Sequence, residues 1–492
     1  MTEKSGNQWK TLDRDLDRIA TLERGTQYVS RPMVGLGVSL AFIVVAGLGA
    51  ALFFGFQPGS LIVIVAAGFG AYMALNIGAN DVANNMGPAV GANALTMGGA
   101  ILIAAICESA GALLAGGDVV STISKGIVDP SSMADLRIFV WAMMAALISS
   151  ALWVNLATWV GAPVSTTHSV VGGVMGAGIA AAGFSAVNWP SMGAIAASWV
   201  ISPVLGGAVA AAFLAFIKAN IIYVDDKIAA ARRWVPVLIG IMAGAFATYL
   251  AVKGLKRIVA IDLPMALLIG LVTAVVTTLI SRPYIRRKSE GLENRNKSLK
   301  VLFGLPLVIS AALLSFAHGA NDVANAVGPL AAIVHAEQVG EFAGKVSIPT
   351  WVMVIGAFGI SFGLVLFGPK LIRMVGSQIT KLNPMRAYCV ALSAAITVIV
   401  ASWLGLPVSS THIAVGGVFG VGFFREWHAE RRYRQNAQRR GVERRLPPEE
   451  RRRRKLVRRS HFMTIVAAWI ITVPAAALLS GLIFTVLNLL TP

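Results

Sequence analysis

Long apolar runs recur from one end of this chain to the other, and they restrict its fold more than any other feature. A helix that crosses the hydrocarbon core of a membrane needs about 20 mostly apolar residues. One such run fits a buried helix of a soluble protein, but eleven do not, because only 13% of the residues are charged and soluble domains usually have about one quarter. The prediction is an all-α integral membrane protein. The runs span 33–56, 58–77, 97–117, 136–160, 193–217, 233–252, 262–281, 300–317, 349–368, 385–405 and 462–488.

Two sets of repeated motifs divide the chain into halves. The sequence GANDVAN occurs at 78–84 and again at 319–325, and PVSTTH at 163–168 returns as PVSSTH at 407–412. The copies lie 241 and 244 residues apart, so the spacing between the two motifs is kept within three residues. Repeats of this kind are the usual architecture of secondary transporters, which place their binding site at the middle of the membrane.

A third pair of similar segments begins at Trp199 and Trp469. These two residues are 270 positions apart, more than the other repeated motifs, because a basic insertion lies between them. The repeats predict the following organisation: a charged cytoplasmic leader at 1–32, an extra transmembrane span at 33–57, a first transport repeat at 58–217, a linker with two transmembrane spans at 218–298, and a second transport repeat at 299–492 that contains the basic insertion 425–459.

Positive charge orients the predicted spans. The leader 1–32, the loop 282–300 and the insertion 425–459 are rich in Lys and Arg, and basic loops usually face the cytoplasm. All three share one side only if the regions 163–185 and 407–424 each contribute a further net crossing as broken or re-entrant helices. The two GANDVAN helices then run in opposite directions. This predicts about 11–13 transmembrane segments in two inverted-topology repeats, with the N-terminus in the cytoplasm.

The net charge of +19 does not indicate a nucleic-acid partner. Residues 425–459 hold 15 Lys and Arg against 5 Glu, so about half of the excess lies in one loop, where anionic membrane lipid is the expected partner. Only Trp427 and Tyr433 supply aromatic residues there, too few for a base-reading surface. Cys107 and Cys389 lie inside apolar runs and show neither disulfide nor metal-ligand spacing, so no metal centre is expected.

Two aspartates directly follow apolar runs and are the first candidate site residues. A carboxylate at membrane depth costs at least about 2.5 kcal/mol, so it should face a cavity or a cation. Carboxylate and amide oxygens suit a hard cation such as Na⁺, or a titrating proton site. A polar contact between helices is the alternative, but two identical copies favour the functional interpretation. Glycine and Gly-Pro around each motif should interrupt the helix. The predicted cation-binding or coupling residues are Asp81, Asp322, Asn80, Asn321, Asn84, Asn325 and Glu108.

Hydroxyl side chains after Pro163 and Pro407 predict a site for an anion. Hydroxyls together with the free N–H groups of a helix start bind oxyanions, and two such starts from inverted halves should converge on one small oxyanion. Ordinary helix capping is the alternative, since Ser and Thr often cap helices. The predicted anion-binding residues are Ser165, Thr166, Thr167, Ser409, Ser410 and Thr411. His168 and His412 close the two clusters; a proton-shuttle or gating role and a structural role that orients the hydroxyls both stay open.

The doubled GANDVAN and PVS-[ST]-TH motifs resemble those of the inorganic phosphate transporter (PiT) family, and the likeness extends from about 58 to 488. The resemblance implies secondary transport of phosphate driven by Na⁺ or H⁺ on an all-helical inverted-repeat fold, with the two Asp motifs and the two Ser/Thr segments forming the ion and phosphate sites. The extra span 33–57, the leader 1–32 and the insertion 425–459 depart from the family pattern without touching these motifs.

The expected function is therefore a cation-coupled symporter that imports inorganic phosphate across the cell membrane, with no cofactor other than the coupling ion. A sulfate permease of the same fold is the alternative, because the same hydroxyls and N–H groups would bind sulfate. An enzyme such as a membrane hydrolase is disfavoured because every candidate residue occurs in two symmetric copies except Glu108, and no catalytic residue is predicted. A channel is disfavoured because paired acids and anion sites suit occluded binding. The choice of coupling ion and the presence of a homo-oligomer stay open.

Overall fold

The computed structural model describes residues 34–55, 59–160, 164–254, 261–340, 348–374, 383–439 and 459–490. Helices dominate these ranges. The first half contains α1 (Val34–Phe54), α2 (Ser60–Asn80), α3 (Val82–Gly91), α4 (Met97–Ala115), α5 (Gly117–Ser121), α6 (Leu136–Val160), α7 (Thr166–Ala182) and α8 (Trp189–Ile217). The linker contains α9 (Lys227–Tyr249) and α10 (Leu263–Lys288), and the second half contains α11 (Asn296–Leu302), α12 (Gly304–Val339), α13 (Thr350–Met374), α14 (Pro384–Trp403), α15 (Ser410–Arg439) and α16 (Arg459–Leu490).

The span count agrees with the sequence prediction. The described residues include 11 helices that are long and apolar enough to cross a membrane. Their burial differs strongly: 83% of the apolar window is buried in both α12 and α14, but only 11% in α10. Thus α12 and α14 form the interior of the bundle, while α10 turns Leu, Val and Ile side chains outwards, as a lipid-facing helix must.

The two repeats do not fold as separate bundles; their helices interleave. The α2 helix of the first repeat packs on α13 of the second, and the equivalent α12 of the second packs on α4 of the first. The same exchange recurs between α7 and α16 and between α8 and α15. Each half therefore buries its apolar faces against the other, and residues from distant parts of the sequence meet in one core.

The two GANDVAN helices run antiparallel, as the distribution of positive charge predicted. Gly70 on α2 lies against the side chain of Leu330 on α12, whereas ligand atoms of Asp81 and Asp322 lie within 4.8 Å of one another. Contacts therefore pair the start of one helix with the end of the other. Opposite directions of equivalent helices identify the inverted-topology repeat of the predicted fold.

Interruptions of the helices occur at the PVS segments rather than at the Gly-Pro pairs. The expectation that Gly328-Pro329 would interrupt its helix is wrong, because α12 continues unbroken from Gly304 to Val339 with Pro329 inside it. In the first half a single turn residue, Asp81, separates α2 from α3. A proline removes one N–H donor and can be accommodated where neighbouring helices enclose the backbone. Non-helical backbone instead precedes α7 and α15.

Two glycines allow the closest helix approaches around the centre. A Cβ at Gly319 of α12 would collide with the backbone carbonyl of Glu108 on α4, and a Cβ at Gly78 of α2 would collide with the carbonyl of Ile360 on α13. The two contacts are equivalent under the repeat. They identify Ile360 as the counterpart of Glu108, which agrees with the absence of a second acid in the aligned region 356–363.

Parts of the predicted organisation lie outside the described residues. These are the leader 1–32 and, within the basic insertion, residues 440–458. The start of the insertion is described: α15 continues without a break from the PVS segment to Arg439.

Candidate functional site

The two PVS segments converge on Asp81. Asp81 is buried, with 2% of its surface exposed. Its carboxylate accepts one hydrogen bond from each half of the protein. Thr166, at the start of α7, donates to Oδ2 at 2.7 Å, and Thr411, in the first turn of α15, donates to Oδ1 at 3.0 Å. The two inverted helix starts therefore meet at one place with the acid between them, while their binding of a small oxyanion stays a prediction.

The asparagines that end each ANDVAN motif reach across to the opposite half. Asn84 Nδ2 donates to Thr411 Oγ1 at 2.9 Å. Asn325 Nδ2 donates to Thr167 Oγ1 at 3.1 Å and to Thr166 Oγ1 at 3.3 Å. These contacts are equivalent under the repeat, so the acid motif of each half holds the hydroxyl segment of the other.

The first asparagines of the motifs hold the broken backbone instead of joining the carboxylates. Asn321 Nδ2 donates to Ser402 Oγ at 3.0 Å and to the Leu406 carbonyl at 3.2 Å, while its Oδ1 accepts the N–H of Val408 at 3.2 Å. Asn80 makes the contact that matches the one with Ser402, donating to Thr158 Oγ1 at 2.7 Å. Both asparagines therefore fix the chain that leads into a PVS segment, and neither amide makes a described hydrogen bond to Asp81.

The serines that begin the hydroxyl segments cap their helices. Ser165 Oγ accepts the N–H of His168 at 3.2 Å, and Ser409 Oγ accepts the N–H of His412 at 3.3 Å. The capping alternative therefore describes these two hydroxyls. The following hydroxyls, from Thr166, Thr167, Ser410 and Thr411, face the acid motifs or the opposite PVS segment.

Asp322 lies in an environment that the sequence reasoning missed. Its Oδ2 is 2.9 Å from His318 Nε2 and accepts a longer hydrogen bond from Ser410 Oγ at 3.4 Å. His318 Nδ1 lies 2.6 Å from Glu108 Oε2, and Glu108 Oε1 accepts from Asn85 Nδ2 at 2.9 Å. A continuous chain of buried polar groups therefore runs from Asn85 through Glu108 and His318 to Asp322.

This chain exists on one side of the pseudo-symmetric site only. The repeat offset pairs His318 with Ile77 and Asn85 with Ala326, and Glu108 corresponds to Ile360. The signal available in the sequence was helical spacing: His318 stands four residues before Asp322, which places both on one helix face. Glu108 was predicted from the sequence, whereas His318 and Asn85 were not.

Asp81 and Asp322 could together hold a cation, since ligand atoms of these two carboxylates and of His318 lie within 4.8 Å of one another. Three further acceptor atoms in this region are buried without a hydrogen-bond partner: Asn85 Oδ1, Asp322 Oδ1 and Asn325 Oδ1. The amide orientations follow from the Nδ2 contacts of Asn85 and Asn325 described above, so the free atoms are oxygens. Buried, unpaired oxygens are the ligand type that hard cations prefer.

The two motif histidines meet where the halves meet. Their rings lie 4.5 Å apart in a T-shaped contact. His168 packs on Trp199 at 3.9 Å, and His412 packs on Trp469 at 3.6 Å. Trp199 also donates its indole N–H to the carbonyl of Pro407 at 3.0 Å. Trp199 and Trp469, the third pair of repeated residues, thus pack against the two histidines.

Comparison with known proteins gives consistent results. The model of the phosphate transporter family matches residues 77–480. A Helicobacter pylori protein provisionally named a phosphate permease is 45% identical over an alignment that covers 96% of this chain and 99% of that protein. The Arabidopsis thaliana protein named inorganic phosphate transporter 2-1, chloroplastic, is 36% identical, with 84% of this chain and 70% of that protein covered.

One solved structure, that of a sodium-dependent phosphate transporter, is also similar. It superposes with a TM-score of 0.78 at 35% identity. The match covers 87% of this chain and 99% of the other. These relatives are transporters and not enzymes, in line with the expectation from the sequence.

Proposed function

The chain belongs to the phosphate transporter family, and from this premise we propose that it is a secondary active symporter that imports inorganic phosphate together with Na⁺. It is a multi-pass membrane protein of a family that transports phosphate. We propose three further properties: Na⁺ as the coupling ion, transport into the cell, and a location in the cell membrane with the N-terminus in the cytoplasm. The basic loops favour this orientation.

Hydroxyl donors from both halves support a phosphate site beside Asp81. The Thr166 and Thr411 hydroxyls both point at one carboxylate, so an oxyanion placed between them would be bound by hydroxyls from two inverted helix starts. The unpaired N–H groups of the first helical turns add further donors. No Lys or Arg side chain takes part in the described hydrogen bonds of these segments, which suits a substrate that must leave again.

The same geometry supports cation coupling. A phosphate bound by these hydroxyls lies next to Asp81, with Asp322 in the same buried cluster. Two unit charges of like sign about 4 Å apart repel by about 4 kcal/mol at an effective dielectric constant of about 20. Phosphate therefore binds well only when cations neutralise the carboxylates. This contact of one carboxylate with both hydroxyl segments is the observation that carries the proposal.

Unpaired oxygens favour Na⁺ over H⁺ as the coupling ion. Asp322 Oδ1 and Asn325 Oδ1 are buried without partners and lie three residues apart on α12, hence on one helix face. A proton needs a single oxygen, whereas Na⁺ needs several, including neutral ones. The similarity to a solved sodium-dependent phosphate transporter favours the same ion.

The pair Glu108–His318 positions Asp322 in this scheme. By contacting Asp322 Oδ2, His318 leaves Oδ1 as the oxygen available to a cation. The pair has no counterpart beside Asp81, so the surroundings of Asp81 and Asp322 differ. Cations at the two carboxylates are therefore expected to bind with different affinities.

For His168 and His412 we propose gating, because their rings meet between α7 and α15, and a movement of one of these helices relative to the other would separate them. Replacing both with phenylalanine keeps the packing on Trp199 and Trp469. An unchanged transport rate and pH profile in that double variant would contradict a gating role.

The organisation inferred from the sequence belongs to the same proposal. Repeats 58–217 and 299–492 form the transport unit, and the linker 218–298 contributes α9 and α10 at its edge. The leader 1–32, the extra span 33–57 and the insertion 425–459 are additions to this unit.

The experiment that tests the function is uptake of labelled phosphate into proteoliposomes, with a sodium gradient and a pH gradient imposed separately. The proposal predicts uptake driven by the sodium gradient and inhibited by excess unlabelled phosphate but not by sulfate. Uptake driven only by the pH gradient would show that the coupling ion is H⁺ and not Na⁺. Uptake of sulfate instead of phosphate would refute the substrate.

A further inference from the structure

Three half-buried cations converge at one end of the helix bundle, away from the central site. They are Lys218 at the end of α8, Arg386 in the first turn of α14 and Arg425 on α15. We propose that this cluster, called here the basic triad, binds the phosphate group of an anionic ligand. A lipid headgroup as this ligand does not depend on the function proposed above, whereas transported phosphate as this ligand rests on that function.

The geometry brings the basic triad together from three helices. Helices α8, α14 and α15 pack pairwise against one another. The positive charges of Arg386 and Arg425 both act on Lys218, and that of Arg425 acts on Arg386. Lys218 Nζ lies 5.1 Å from the ring centre of Phe424, which precedes Arg425 on α15. Arg386 Nε donates to Asn383 Oδ1 at 3.1 Å, which fixes the direction of its guanidinium group.

Among the residues that the structure describes, four side-chain ion pairs can be assigned to both partners. The ion pairs there join Lys253 to Asp118, Arg295 to Glu293, and His318 to Glu108 and Asp322, and none includes a member of the basic triad. Half-buried like charges repel and lose hydration, so such a group persists at little cost only with an anion nearby. An anionic ligand bound at the triad would offset this repulsion.

The surroundings match a membrane surface. Tyr223 stacks on His428 with ring centres 5.4 Å apart, and Arg432 lies 4.2 Å from the Tyr223 ring centre. Aromatic and basic side chains of this kind gather at the membrane–water interface. The pKa of His428 is held below its ordinary value by burial and then by Lys218, Arg432 and Arg431, so the positive potential extends to the next turn of α15.

A phosphate group is the ligand that fits the triad. Arginine binds two oxygens of a phosphate through paired N–H donors, and lysine adds a point charge. The N-terminus of α14, beside Arg386, adds the positive end of a helix dipole. Arg425 lies fifteen residues beyond Ser410 on one helix, or about 22 Å. The triad is therefore distinct from the hydroxyl site, although the same helix connects them.

Two sources supply this chemistry: the headgroup of an anionic phospholipid, and inorganic phosphate that has left the central site. The lipid arm uses the purified full-length protein in detergent with phosphatidylglycerol or phosphatidylcholine, followed by native mass spectrometry. The phosphate arm uses proteoliposomes and measures inhibition of uptake by phosphate trapped inside. The variants are Arg386→Gln and Arg425→Gln, with Arg425→Lys to keep the charge. Arg287→Gln, an exposed cation at the end of α10, is the matched control.

If the ligand is a lipid headgroup, phosphatidylglycerol should stay bound to the wild type and to Arg287→Gln. Its binding to Arg386→Gln and Arg425→Gln should weaken by about tenfold, with partial recovery in Arg425→Lys. The free-phosphate source predicts instead that the glutamine variants raise the internal phosphate concentration needed for inhibition by a similar factor. Elution as a single species in size exclusion confirms that each variant is folded. If folded variants change neither quantity, the basic triad is not a phosphate site. The lipid arm needs no transport, so it can succeed even if the proposed function fails.

Discussion

Replacing Asp81 by asparagine removes one negative charge from the central site and leaves the shape of the side chain almost unchanged. The oxygen of the new amide still accepts a hydroxyl hydrogen bond. The other position becomes an NH₂ donor, and the hydroxyl that faces it, from Thr166 or Thr411, has to rotate and accept. Exchanging hydrogen bonds with a charged group for neutral ones costs about 1 kcal/mol. Relief of the repulsion with Asp322 offsets part of this, so we expect the free energy of unfolding to change by less than about 1 kcal/mol.

The effect on cation binding is much larger. A monovalent cation about 4 Å from a carboxylate gains about 4 kcal/mol at an effective dielectric constant of about 20. Losing that attraction weakens cation affinity roughly 10³-fold, since about 1.4 kcal/mol corresponds to a factor of ten. In the proposed mechanism a bound cation neutralises the charge next to phosphate, so coupled uptake should fall to background.

Three measurements on Asp81→Asn separate these effects: thermal unfolding of the purified protein, binding of radioactive sodium, and phosphate uptake under a sodium gradient. Asp262→Asn is the matched control, because Asp262 is an exposed N-cap of α10 and asparagine caps a helix equally well. We expect an unchanged melting curve in both variants and loss of sodium binding and uptake in Asp81→Asn alone. Wild-type uptake with an ordinary sodium dependence in Asp81→Asn would refute the assignment of this carboxylate to coupling.

Further changes test other parts of the molecule. Glu108→Gln removes the buried charge partner of His318 and should destabilise the protein by about 3–5 kcal/mol, measured by chemical or thermal unfolding; a stability within error of wild type would contradict a buried ion pair. Gly319→Ala drives a Cβ into a backbone carbonyl of α4 and should cost about 1–3 kcal/mol, while Gly98→Ala, which has open space, should be neutral or stabilising. Deleting 440–457 should leave sodium-driven phosphate uptake within about twofold of wild type if each half of the site is complete without it; complete loss in proteoliposomes would make the insertion part of the transport machinery.

The architecture was predictable from sequence because membrane insertion leaves few choices. Eleven runs of about 20 apolar residues in a chain with few charges predict spanning helices, and the described residues contain 11 candidate spans. Duplication of the motifs then predicted where a site should lie, since two copies on antiparallel helices converge on a pseudo-twofold axis. Thr166 and Thr411 could be singled out in this way, and the structure brings both to Asp81.

Other features depend on packing between distant segments and left little trace in the sequence. The contact of His318 with Glu108 joins residues 210 positions apart and has no counterpart in the other half, so a search for symmetric pairs passes over it. Helical spacing alone would have linked His318 to Asp322. The unbroken course of α12 past Pro329 was likewise unpredictable, because local propensity favours a break there and the surrounding helices override it.

The roles of Asn80 and Asn321 also became visible only in three dimensions. From the sequence they were as suitable for a cation as Asn84 and Asn325, since all four flank the aspartates. In the structure the side-chain oxygen of Asn321 accepts the N–H of Val408. Side-chain type at membrane depth indicates a polar role, but only contacts distinguish a ligand from a support.

The measurement that tests the central claim most directly is calorimetric titration of phosphate into the purified protein at several sodium concentrations. If phosphate and sodium occupy one cluster around Asp81 and Asp322, sodium should tighten phosphate binding by at least about tenfold, and phosphate should tighten sodium binding by the same factor, because coupling free energy is reciprocal. An equal phosphate affinity with sodium, without sodium and at lower pH would contradict a shared site, and with it the coupling mechanism proposed for this transporter.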